Sequence, residues 1–427
     1  MLKPRYSCLF LANRVPYPAD RGDKLRALAW LRRLSLHYDV TLLAGVDTVE
    51  DWRWREPLED IAMEVRLTPA GGLRGKMRGA PQLIQGKPLT PAYFRNPETA
   101  RKLQEETSDK RYDLVFVYTS GAAAYLDDLR TPPRATIVDF VDVDSARWEA
   151  LSHAQSGPMS WIYAREGAAL KIFEAELARR ADVSLFATEA EAALFSARSG
   201  VSQGVRVLGN GVDVAYWGAA AEQPSPYADD KPTLVITGSM DQTPNVDAAL
   251  WLHDQVLPLI RREEPETRFV VAGARPAPEL TALASHMNVV TGDVDDLRPY
   301  LGHATVAAAP MRVARGIQNK VLEAMAAGAP LLASPQAVSG LDLRAGDHVS
   351  IADGADAFAA EALRLLRSPE TRETIAKAAK AHVAEHCDWA GKHAELDHLA
   401  QTLLAGDGPE ADDEAPDAAD PTKVNAD

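Results

Sequence analysis

The chain has 427 residues, of which 46% are hydrophobic and 25% charged, and its formal net charge is −15. This length exceeds one ordinary hydrophobic core, so we expect a globular protein with two domains of roughly 200 residues each. The acidic balance argues against a protein that coats nucleic acid. The two cysteines are far apart in sequence, which argues against a disulfide framework or a cysteine-rich metal site. The sequence has no run of roughly 20 apolar residues, which argues against a membrane span. We therefore expect a cytoplasmic location.

The first half of the chain predicts a parallel α/β domain. A buried strand over 8–12 leads into a loop with Gly22, a helix over 25–36 and a second strand over 40–44. Strand, helix and strand in this order start a Rossmann-like unit, and a glycine in the first loop is consistent with a nearby ligand. The loop has no G-x-G-x-x-G, so the nicotinamide fingerprint is absent. Further buried strands are predicted at 114–118, 136–140 and 183–187.

The segment 66–97 is locally basic in an acidic protein. It contains no acidic residue, and five glycines predict breaks in regular structure. Its six basic residues are Arg66, Arg74, Lys76, Arg78, Lys87 and Arg95, interspersed with apolar side chains. We consider two interpretations, contact with anionic lipid headgroups or an acceptor phosphate, and a solvated surface excursion.

Two aspartates follow the strand predicted at 136–140. Asp142 and Asp144 stand at its carboxyl end, where parallel α/β sheets bind ligands. Their D-x-D spacing is a weak metal signal, because two carboxylates lack a fixed third ligand. The alternative is that Asp144 or Ser145 caps the next helix.

The second half repeats the strand–loop–helix rhythm. A polar, proline-containing segment over 219–232 predicts a linker, and strands follow at 233–237, 269–272, 289–290, 306–309 and 331–333, with a helix over 246–260. Helices over 361–366, 370–386 and 389–404 come next, and 406–427 is an acidic segment that we predict to be disordered. The predicted units are 1–218, 219–232, 233–384, a C-terminal helix at 385–405 and the tail at 406–427. Two such domains form a cleft that commonly binds a ligand.

The stretch from Met311 to Pro335 predicts the ligand site within that cleft. We expect a loop, a helix that begins near Ile317, and an end at Gly328. A helix start beside Arg312, Arg315 and Lys320 suits an anion. Glu323 shares a helix face with Lys320 and could accept hydrogen bonds from sugar hydroxyls. We interpret the stretch as a site for the diphosphate and ribose of a nucleotide sugar; the alternative is a buried helix with a solvated charged edge.

Several motifs together resemble glycosyltransferase family 4, whose fold is GT-B. They are Asn210-Gly-Val-Asp213, the glycine loop at 238, and Glu323 with the AMAAGAP that follows it. Four longer segments resemble the sugar transferases found with exosortase/PEP-CTERM exopolysaccharide systems: PYPADRGDKLR from Pro16, DFVDVDSARW from Asp139, GSMDQTPNVDA from Gly238 and ARGIQNKVLEAMA from Ala314. The resemblance extends to about residue 404.

The resemblance implies an enzyme that transfers a sugar from a nucleoside-diphosphate sugar with retention of configuration and without a metal or other cofactor. The donor is expected on the second domain and the acceptor, a saccharide or lipid-linked saccharide, mainly on the first. The implied catalytic residues are Asp142, Lys320 and Arg315. The implied donor-binding residues are Gly22, Gly238, Arg312, Gly316, Gln318, Asn319, Lys320, Glu323 at the ribose, and the 292–294 loop with Val294 at the base. The implied acceptor-side residues are Asp142, Asp144, Arg21 and Lys24.

Two departures from the broader family affect these expectations. Arg315 stands where that family usually has a glutamate, eight residues before Glu323. The loop after Gly238 also lacks the usual arginine and lysine, so Arg312, Arg315 and Lys320 are the cations left for the diphosphate. The alternatives are a nucleotide-sugar 2-epimerase or phosphorylase on the same fold, or a non-catalytic nucleotide-sugar-binding protein. The expected location is cytoplasmic, with peripheral contact to an anionic membrane as an option.

Overall fold

The computed structural model describes residues 5–314 and 316–406. Within these residues the chain forms two parallel β-sheets, and each sheet carries helices on its faces. The predicted α/β class with two Rossmann-like units is therefore confirmed. The predicted tail lies, apart from Gly406, outside the described residues.

The first sheet has the strand order β3-β2-β1-β4-β5-β6-β7, and every neighbouring pair is parallel. Its strands are β1 Ser7–Ala12, β2 Asp39–Val46, β3 Glu64–Pro69, β4 Leu114–Tyr118, β5 Ala135–Val141, β6 Val183–Phe186 and β7 Val205–Val207. β1 and β4 are buried along almost their whole length, as expected for parallel strands covered on both faces. Chain order reverses on either side of β1, which places a ligand crevice at the carboxyl ends of β1 and β4.

The second sheet has the order β10-β9-β8-β11-β12-β13 and is also parallel. Its strands are β8 Thr233–Thr237, β9 Arg268–Ala272, β10 Asn288–Val290, β11 Val306–Ala309, β12 Leu331–Ala333 and β13 Ser350–Ile351. The order reverses on either side of β8, so the loops after β8 and β11 lie together at the carboxyl edge. These are the loops at 238–242 and 310–318, which contain the predicted donor site.

The helices connect these strands on both faces of each sheet. In the first half they are α1 Gly22–His37, α2 Arg55–Glu59, α3 Gly72–Gln85, α4 Leu89–Phe94, α5 Pro97–Glu106, α6 Asp144–Ala154, α7 Pro158–Arg180, α8 Glu189–Ser199 and α9 Val214–Gly218. In the second half they are α10 Thr243–Trp251, α11 Leu257–Glu263, α12 Pro278–Thr281, α13 Arg298–Gly302, α14 Asn319–Ala326, α15 Pro335–Val338, α16 Ala355–Arg367, α17 Pro369–His386 and α18 Trp389–Ala405.

The last helix, α18, returns to the first sheet. Leu396, Ala400 and Leu404 are buried in the same hydrophobic core as Leu31 of α1 and Phe10 of β1. The opposite face of the first sheet is covered by α5, α7 and α8. Helix α18, which follows the second domain in sequence, therefore completes the core of the first domain.

The basic segment differs from its prediction. Its glycines do not break regular structure throughout, because Gly75 and Gly79 lie inside α3 on its buried side. A Cβ on Gly75 would lie 2.8 Å from the Tyr93 ring, so glycine allows α3 to pack closely on α4. Only Gly86 ends the helix as expected, with a φ of 72° at the C-cap.

Two other local features also differ. The helix predicted over 246–260 is interrupted by a π turn at Leu252–Val256, next to Pro258, which has no N–H to donate. Helix α6 begins after Val143 without a side-chain cap, so capping by Asp144 or Ser145 is wrong. No helix in the described ranges is long and apolar enough to cross a membrane.

Candidate active site

Two helix N-termini meet across the cleft between the sheets. Helix α1 starts at Gly22 and α14 at Asn319, and a Cβ on Gly22 would lie 3.3 Å from Asn319 Nδ2. The N-cap residues of the two helices, Arg21 and Gln318, make no side-chain capping hydrogen bond to the first N–H groups. Free N–H groups and two helix dipoles directed at one point favour a bound anion. A larger residue at position 22 would need the Asn319 side chain to shift by a few tenths of an ångström.

Lys320 reaches from α14 to the glycine loop after β8. Its Nζ donates to Asn245 Oδ1 at 2.5 Å. Gly238 has a φ of 148°, and a Cβ there would lie 3.2 Å from Lys320 Nζ and 2.8 Å from Asn245 Nδ2. Lys320 thus places a cation at the loop whose own sequence lacks one.

Lys320 and Glu323 perturb each other's titration. Desolvation lowers the pKa of Lys320 to about 8, and the charge of Glu323 acts against that shift. Desolvation likewise raises the pKa of Glu323 to about 7, opposed by the charge of Lys320. Both shifts arise because neither charge is fully solvated, and an anionic, hydroxyl-bearing ligand would satisfy both groups.

Glu323 lines a cavity of about 280 Å³ between the two domains. Asn319 lies one turn earlier on the same side of α14, while Trp217 and Trp389 close the far side. No described residue forms an ion pair or a hydrogen bond with the Glu323 side chain. Its carboxylate is therefore available to accept a hydrogen bond from a ligand hydroxyl.

Asp142 lies against the donor loop from the opposite domain. A Cβ on Gly316, which has a φ of 65°, would lie 2.9 Å from Asp142 Oδ1. The two loops therefore touch through a residue that must be glycine. This contact is where a group held by the second domain would meet a group held by the first.

A cavity of about 720 Å³ opens on the first-domain side of Asp142, and we call it the acceptor-side cavity. Asp144 also lines it and accepts from Ser120 Oγ at 2.6 Å, while Arg147 Nη2 lies 2.8 Å from Asp144 Oδ1. The predicted acceptor-side cations do not line this cavity: Arg21 lies near Asp23, and Lys24 lies near Asp20 and Asp51.

Buried carboxylates accept hydrogen bonds from the backbone next to Asp142. Val143 N donates to Glu191 at 2.7 Å, and Ser145 N donates to Glu174 at 3.0 Å. Burial raises the pKa of Glu174 to about 7, helped by the nearby charge of Asp144. Val141 has a φ of 67°, which is rare for a β-branched residue and marks a constrained site.

The predicted base loop lies beside Arg275. Arg275 N donates to Asp293 Oδ1 at 2.8 Å, and its side chain contacts Asp241 and, across the cleft, Asp20. Arg275 also has a positive φ, of 51°. The 292–294 loop with Val294 is therefore fixed at the cleft by a residue that the sequence did not single out.

A buried network joins the core of the first domain to α14. Arg26 and Asp139 are both fully buried and form a two-bond ion pair at 2.8 and 3.0 Å. Arg26 Nη1 donates to Asn210 Oδ1, whose Nδ2 donates to Asn319 Oδ1, each at 3.0 Å. Asn210, which alone predicts only a tight turn, therefore links the two domains.

The remaining predicted cations differ in their setting. Arg312 is exposed, and its Nε donates to Asp247 Oδ2 at 2.8 Å, so a diphosphate would compete with that carboxylate. Arg315 lies outside the described residues. Gln318 is the N-cap residue of α14.

The ranges 5–314 and 316–406 contain no group of three or more His, Cys, Asp or Glu residues that could hold a metal ion.

Sequence reasoning missed Arg26, Asp139, Asn245 and Arg275. Asp139 had a usable signal, since a carboxylate inside an otherwise apolar strand needs a buried partner. Asn245 and Arg275 had none, because their contacts join loops that are distant in sequence. Their roles become visible only when the carboxyl ends of β8, β9 and β11 are assembled.

Residues 231–368 match a family of glycosyl transferases, described as glycosyl transferases group 1. The enzyme is a glycosyltransferase. This glycosyltransferase activity was predicted, and the matched region contains Gly238, Lys320 and Glu323. No curated protein sequence matches the chain.

Solved structures similar to this glycosyltransferase share its fold at low identity. The HepE protein of Anabaena, solved with UDP and glucose, aligns with a TM-score of 0.63 and 14% identity over 93% of this chain and 100% of its own. Sucrose-phosphate synthase of Thermosynechococcus elongatus aligns with 0.66 and 14% over 94% and 100%. A glycosyltransferase of Rickettsia africae aligns with 0.62 and 10% over 94% and 99%. These similarities confirm the predicted GT-B fold.

Proposed function

We propose that the enzyme transfers a sugar from a nucleoside-diphosphate sugar to a saccharide or lipid-linked acceptor, with retention of anomeric configuration. The observation that carries the proposal is the meeting of two uncapped helix N-termini beside Lys320, in contact with the loop of Asp142. The match of 231–368 to group 1 glycosyl transferases supports the donor side. HepE, solved with UDP and with UDP-glucose, suggests uridine as the first base to test.

On the donor side, the leaving diphosphate gains negative charge as the bond from the sugar C1 to the phosphate oxygen breaks. Lys320 and the first N–H groups of α1 and α14 stabilise that charge without a metal ion. Glu323 accepts hydrogen bonds from the ribose hydroxyls, and the loop with Val294 contacts the base. Arg312 is a weaker candidate because Asp247 already binds it. The role of Arg315 stays a prediction.

On the acceptor side, a hydroxyl attacks C1 on the same face that the diphosphate leaves, so the new glycosidic bond forms with retention of configuration. Asp142 is proposed to orient this hydroxyl and to take its proton, since the loop contact with Gly316 puts its carboxylate beside the donor loop. Glu174 and Glu191 act as positioning residues, because they fix the backbone on either side of Asp144.

The narrower assignment is to glycosyltransferase family 4 and to exopolysaccharide synthesis of the exosortase/PEP-CTERM type. Family 4 rests on the motifs at 210–213, 238 and 323–330, and the exopolysaccharide role rests on the four longer segments described above. The enzyme would act in the cytoplasm at the inner face of the cytoplasmic membrane, with the basic segment 66–97 in peripheral contact with anionic lipid.

The test is a thermal-shift panel of nucleoside diphosphates and nucleotide sugars, followed by measurement of nucleoside diphosphate release with acceptor extracts. A ligand at 100 times its Kd stabilises by roughly 2.7 kcal/mol. Lys320→Ala is expected to lower kcat by a factor on the order of 100, the loss typical of one oxyanion-stabilising donor. Activity that survives EDTA supports metal independence, and NMR of the product reports its anomeric configuration.

The same experiments separate the rival functions. A 2-epimerase would convert the donor with no acceptor present, which NMR of the donor alone detects. A phosphorylase would require inorganic phosphate. A non-catalytic binding protein would bind the donor and release no nucleoside diphosphate with any acceptor. Unchanged kinetics in Lys320→Ala would refute the site assignment.

A further inference from the structure

The acceptor-side cavity is lined by two chemically different groups of side chains. The polar group includes Asp142, Asp144 and Arg147. The apolar group includes Leu83 of α3 and Met159 and Ile162 of α7. A saccharide needs only the polar group, so the apolar group favours a ligand with a hydrocarbon portion.

Helix α3 forms one wall of this cavity. Unlike an ordinary surface helix, it buries its small residues and exposes its large apolar ones. Its buried side consists of Gly75 and Gly79, which pack on α4. Its large apolar side chains point to solvent instead: Leu73 is 75% exposed, Met77 67% and Ile84 93%. At about 100° per residue these three fall within an arc of roughly 40°, so they form one stripe.

Basic residues flank the apolar stripe. Arg74 and Lys76 are exposed on its two sides, and the segment 66–97 has no acidic residue. Lys76 also lines the acceptor-side cavity and makes no ion pair with any described residue. An exposed apolar stripe between cations is typical of a helix that lies in the headgroup region of an anionic bilayer.

The opposite wall of the cavity repeats this character. Helix α7 begins there, and Met159 and Trp161 are exposed, Trp161 at 62%. Tryptophan is favoured at the level of lipid headgroups. Both walls of the cavity mouth therefore present apolar side chains to solvent.

We propose that the acceptor is a phosphate-bearing lipid. Its hydroxyl-bearing head binds at Asp142, its phosphate binds at Lys76 and Arg147, and its apolar chain passes between α3 and α7 into an anionic bilayer on which Leu73, Met77 and Ile84 rest. This inference rests on the proposed function for the placement of the reacting hydroxyl near Asp142. It goes further by naming the acceptor class and the route of its chain.

The first experiment measures, by calorimetry, how much the apolar chain of the lipid contributes to binding. The enzyme is saturated with UDP, so that the diphosphate ligands do not bind at the donor site. Farnesyl diphosphate is expected to bind at least tenfold more tightly than isopentenyl diphosphate, because burying two additional methylene groups already yields about that factor. Lauroyl lysophosphatidic acid, compared in parallel, distinguishes an isoprenoid chain from an acyl chain. Equal affinities for the long-chain and short-chain ligands would overturn the proposal.

Matched variants test where the apolar chain of the lipid binds. Ile162→Glu, in the cavity wall, should remove the tenfold gain, whereas Ile172→Glu, an exposed position of the same helix outside this cavity, should retain it. Loss in both variants, or in neither, would contradict the proposed route. Thermal shifts with UDP confirm that each variant is folded.

The second experiment measures sedimentation with phosphatidylcholine vesicles containing about one third phosphatidylglycerol. The triple variant Leu73→Ser/Met77→Ser/Ile84→Ser should lose at least tenfold in binding. The control Leu36→Ser/Val49→Ser/Met63→Ser, which removes equally exposed apolar side chains elsewhere, should bind as the wild type does. No binding by the wild type, or equal loss in both, would overturn the membrane contact.

The experiments distinguish a failure of the proposed glycosyl transfer from a failure of the proposed lipid acceptor. Binding of UDP without any gain from the longer chain refutes the lipid acceptor and leaves the glycosyl transfer intact. A gain from the longer chain that depends on Ile162, without any stabilisation by nucleoside diphosphates or nucleotide sugars, refutes the donor assignment and supports the lipid site.

Discussion

Lys320 combines three properties that a diphosphate-binding lysine needs. It stands in the first turn of α14, its Nζ contacts Asn245, and it lies beside a glycine that leaves room for a ligand. Its pKa of about 8 means that the ammonium is costly to keep charged in the empty cleft. In the proposed function a bound diphosphate compensates for that cost, so we expect the charge of Lys320 and the binding of the donor to be thermodynamically linked.

This linkage predicts a pH dependence of donor binding. The pKa of Lys320 is lowered, so the ammonium that binds the diphosphate is present below about pH 8 and is lost above it. The Kd for UDP should rise about tenfold per pH unit above that value. Isothermal titration between pH 7 and pH 10 measures this, with Lys320→Arg as the control that keeps its charge and a flat profile. A rise of the same size in Lys320→Arg would assign the dependence to another group.

Glu323 predicts a pH dependence of stability that lies at lower pH and has the same direction, a loss as the pH rises. Its folded-state pKa is raised from 4.5 to about 7, so its contribution to stability is full below pH 4.5 and is lost as the pH rises to 7. At about 1.4 kcal/mol per pKa unit the loss is on the order of 3 kcal/mol. Glu323→Gln should therefore gain stability relative to the wild type between pH 5 and pH 7.5 in urea unfolding. A constant difference over that range would contradict the raised pKa.

Proximity between residues is predictable from the sequence where the two residues are close along one helix. Lys320 and Glu323 are predictable because three-residue spacing on a helix places them on one face. Arg312 illustrates the limit, since its partner Asp247 lies on another helix. Arg26 and Asp139 are separated by more than a hundred residues, and only their shared burial reveals that each compensates the charge of the other.

At the scale of elements, α3 shows why glycine content misleads. Glycine lowers helix propensity by about 1 kcal/mol per residue relative to alanine, which favours a loop. Here the absence of a Cβ at Gly75 and Gly79 permits contact with Tyr93 and Leu89, and packing outweighs propensity. Sequence alone cannot rank these two effects, because the residues that α3 contacts belong to the next helix.

A buried carboxylate contributes to the attachment of this helix pair to the domain. Glu166 of α7 accepts from Leu89 N and Thr90 N at distances between 2.7 and 2.9 Å. Glu166→Ala leaves two N–H groups without an acceptor and should cost at least about 2 kcal/mol of stability. Differential scanning calorimetry should show a lower Tm, while the Kd for UDP stays within twofold.

Glu176→Ala is the matched control for that change. Glu176 lies on the same helix and is exposed, so its removal should leave the Tm within about 1 °C of the wild type. An equal decrease in both variants would mean that helix α7 itself, and not the attachment of α4, is weakened.

At the scale of the molecule, the ion pair of Arg26 and Asp139 supports both domains. Arg26→Leu leaves a buried carboxylate without its counter-charge and should destabilise the protein by about 3–5 kcal/mol. The double variant Arg26→Leu/Asp139→Leu should recover part of that loss, because no buried charge remains. Thermal unfolding measures both, and Arg101→Leu, which breaks an exposed pair with Glu105, should change stability by less than about 1 kcal/mol. No difference between the single and double variants would argue against an electrostatic cause.

The architecture of the whole molecule was the most predictable level. Buried runs such as 8–12, 114–118 and 233–237 predict parallel strands because both of their faces are covered, and their alternation with helices predicts the two sheets. The return of α18 to the first sheet was not predictable. Its leucines require an apolar surface, and helices of either domain could provide one.

The two crossings of the chain between the domains are hydrogen-bonded to each other. Val212 N donates to Cys387 O at 2.8 Å, and Trp389 N donates to Val212 O at 3.2 Å. Helix α18 then covers the side of the first domain where Trp30 meets the Trp389 ring at 5.2 Å. During synthesis about 350 residues separate the end of α1 from the start of α18, which is roughly 20–70 s of translation. The apolar surface of the first domain that α18 covers therefore stays exposed until α18 has left the ribosome, and exposed apolar surface of this kind favours aggregation during that interval.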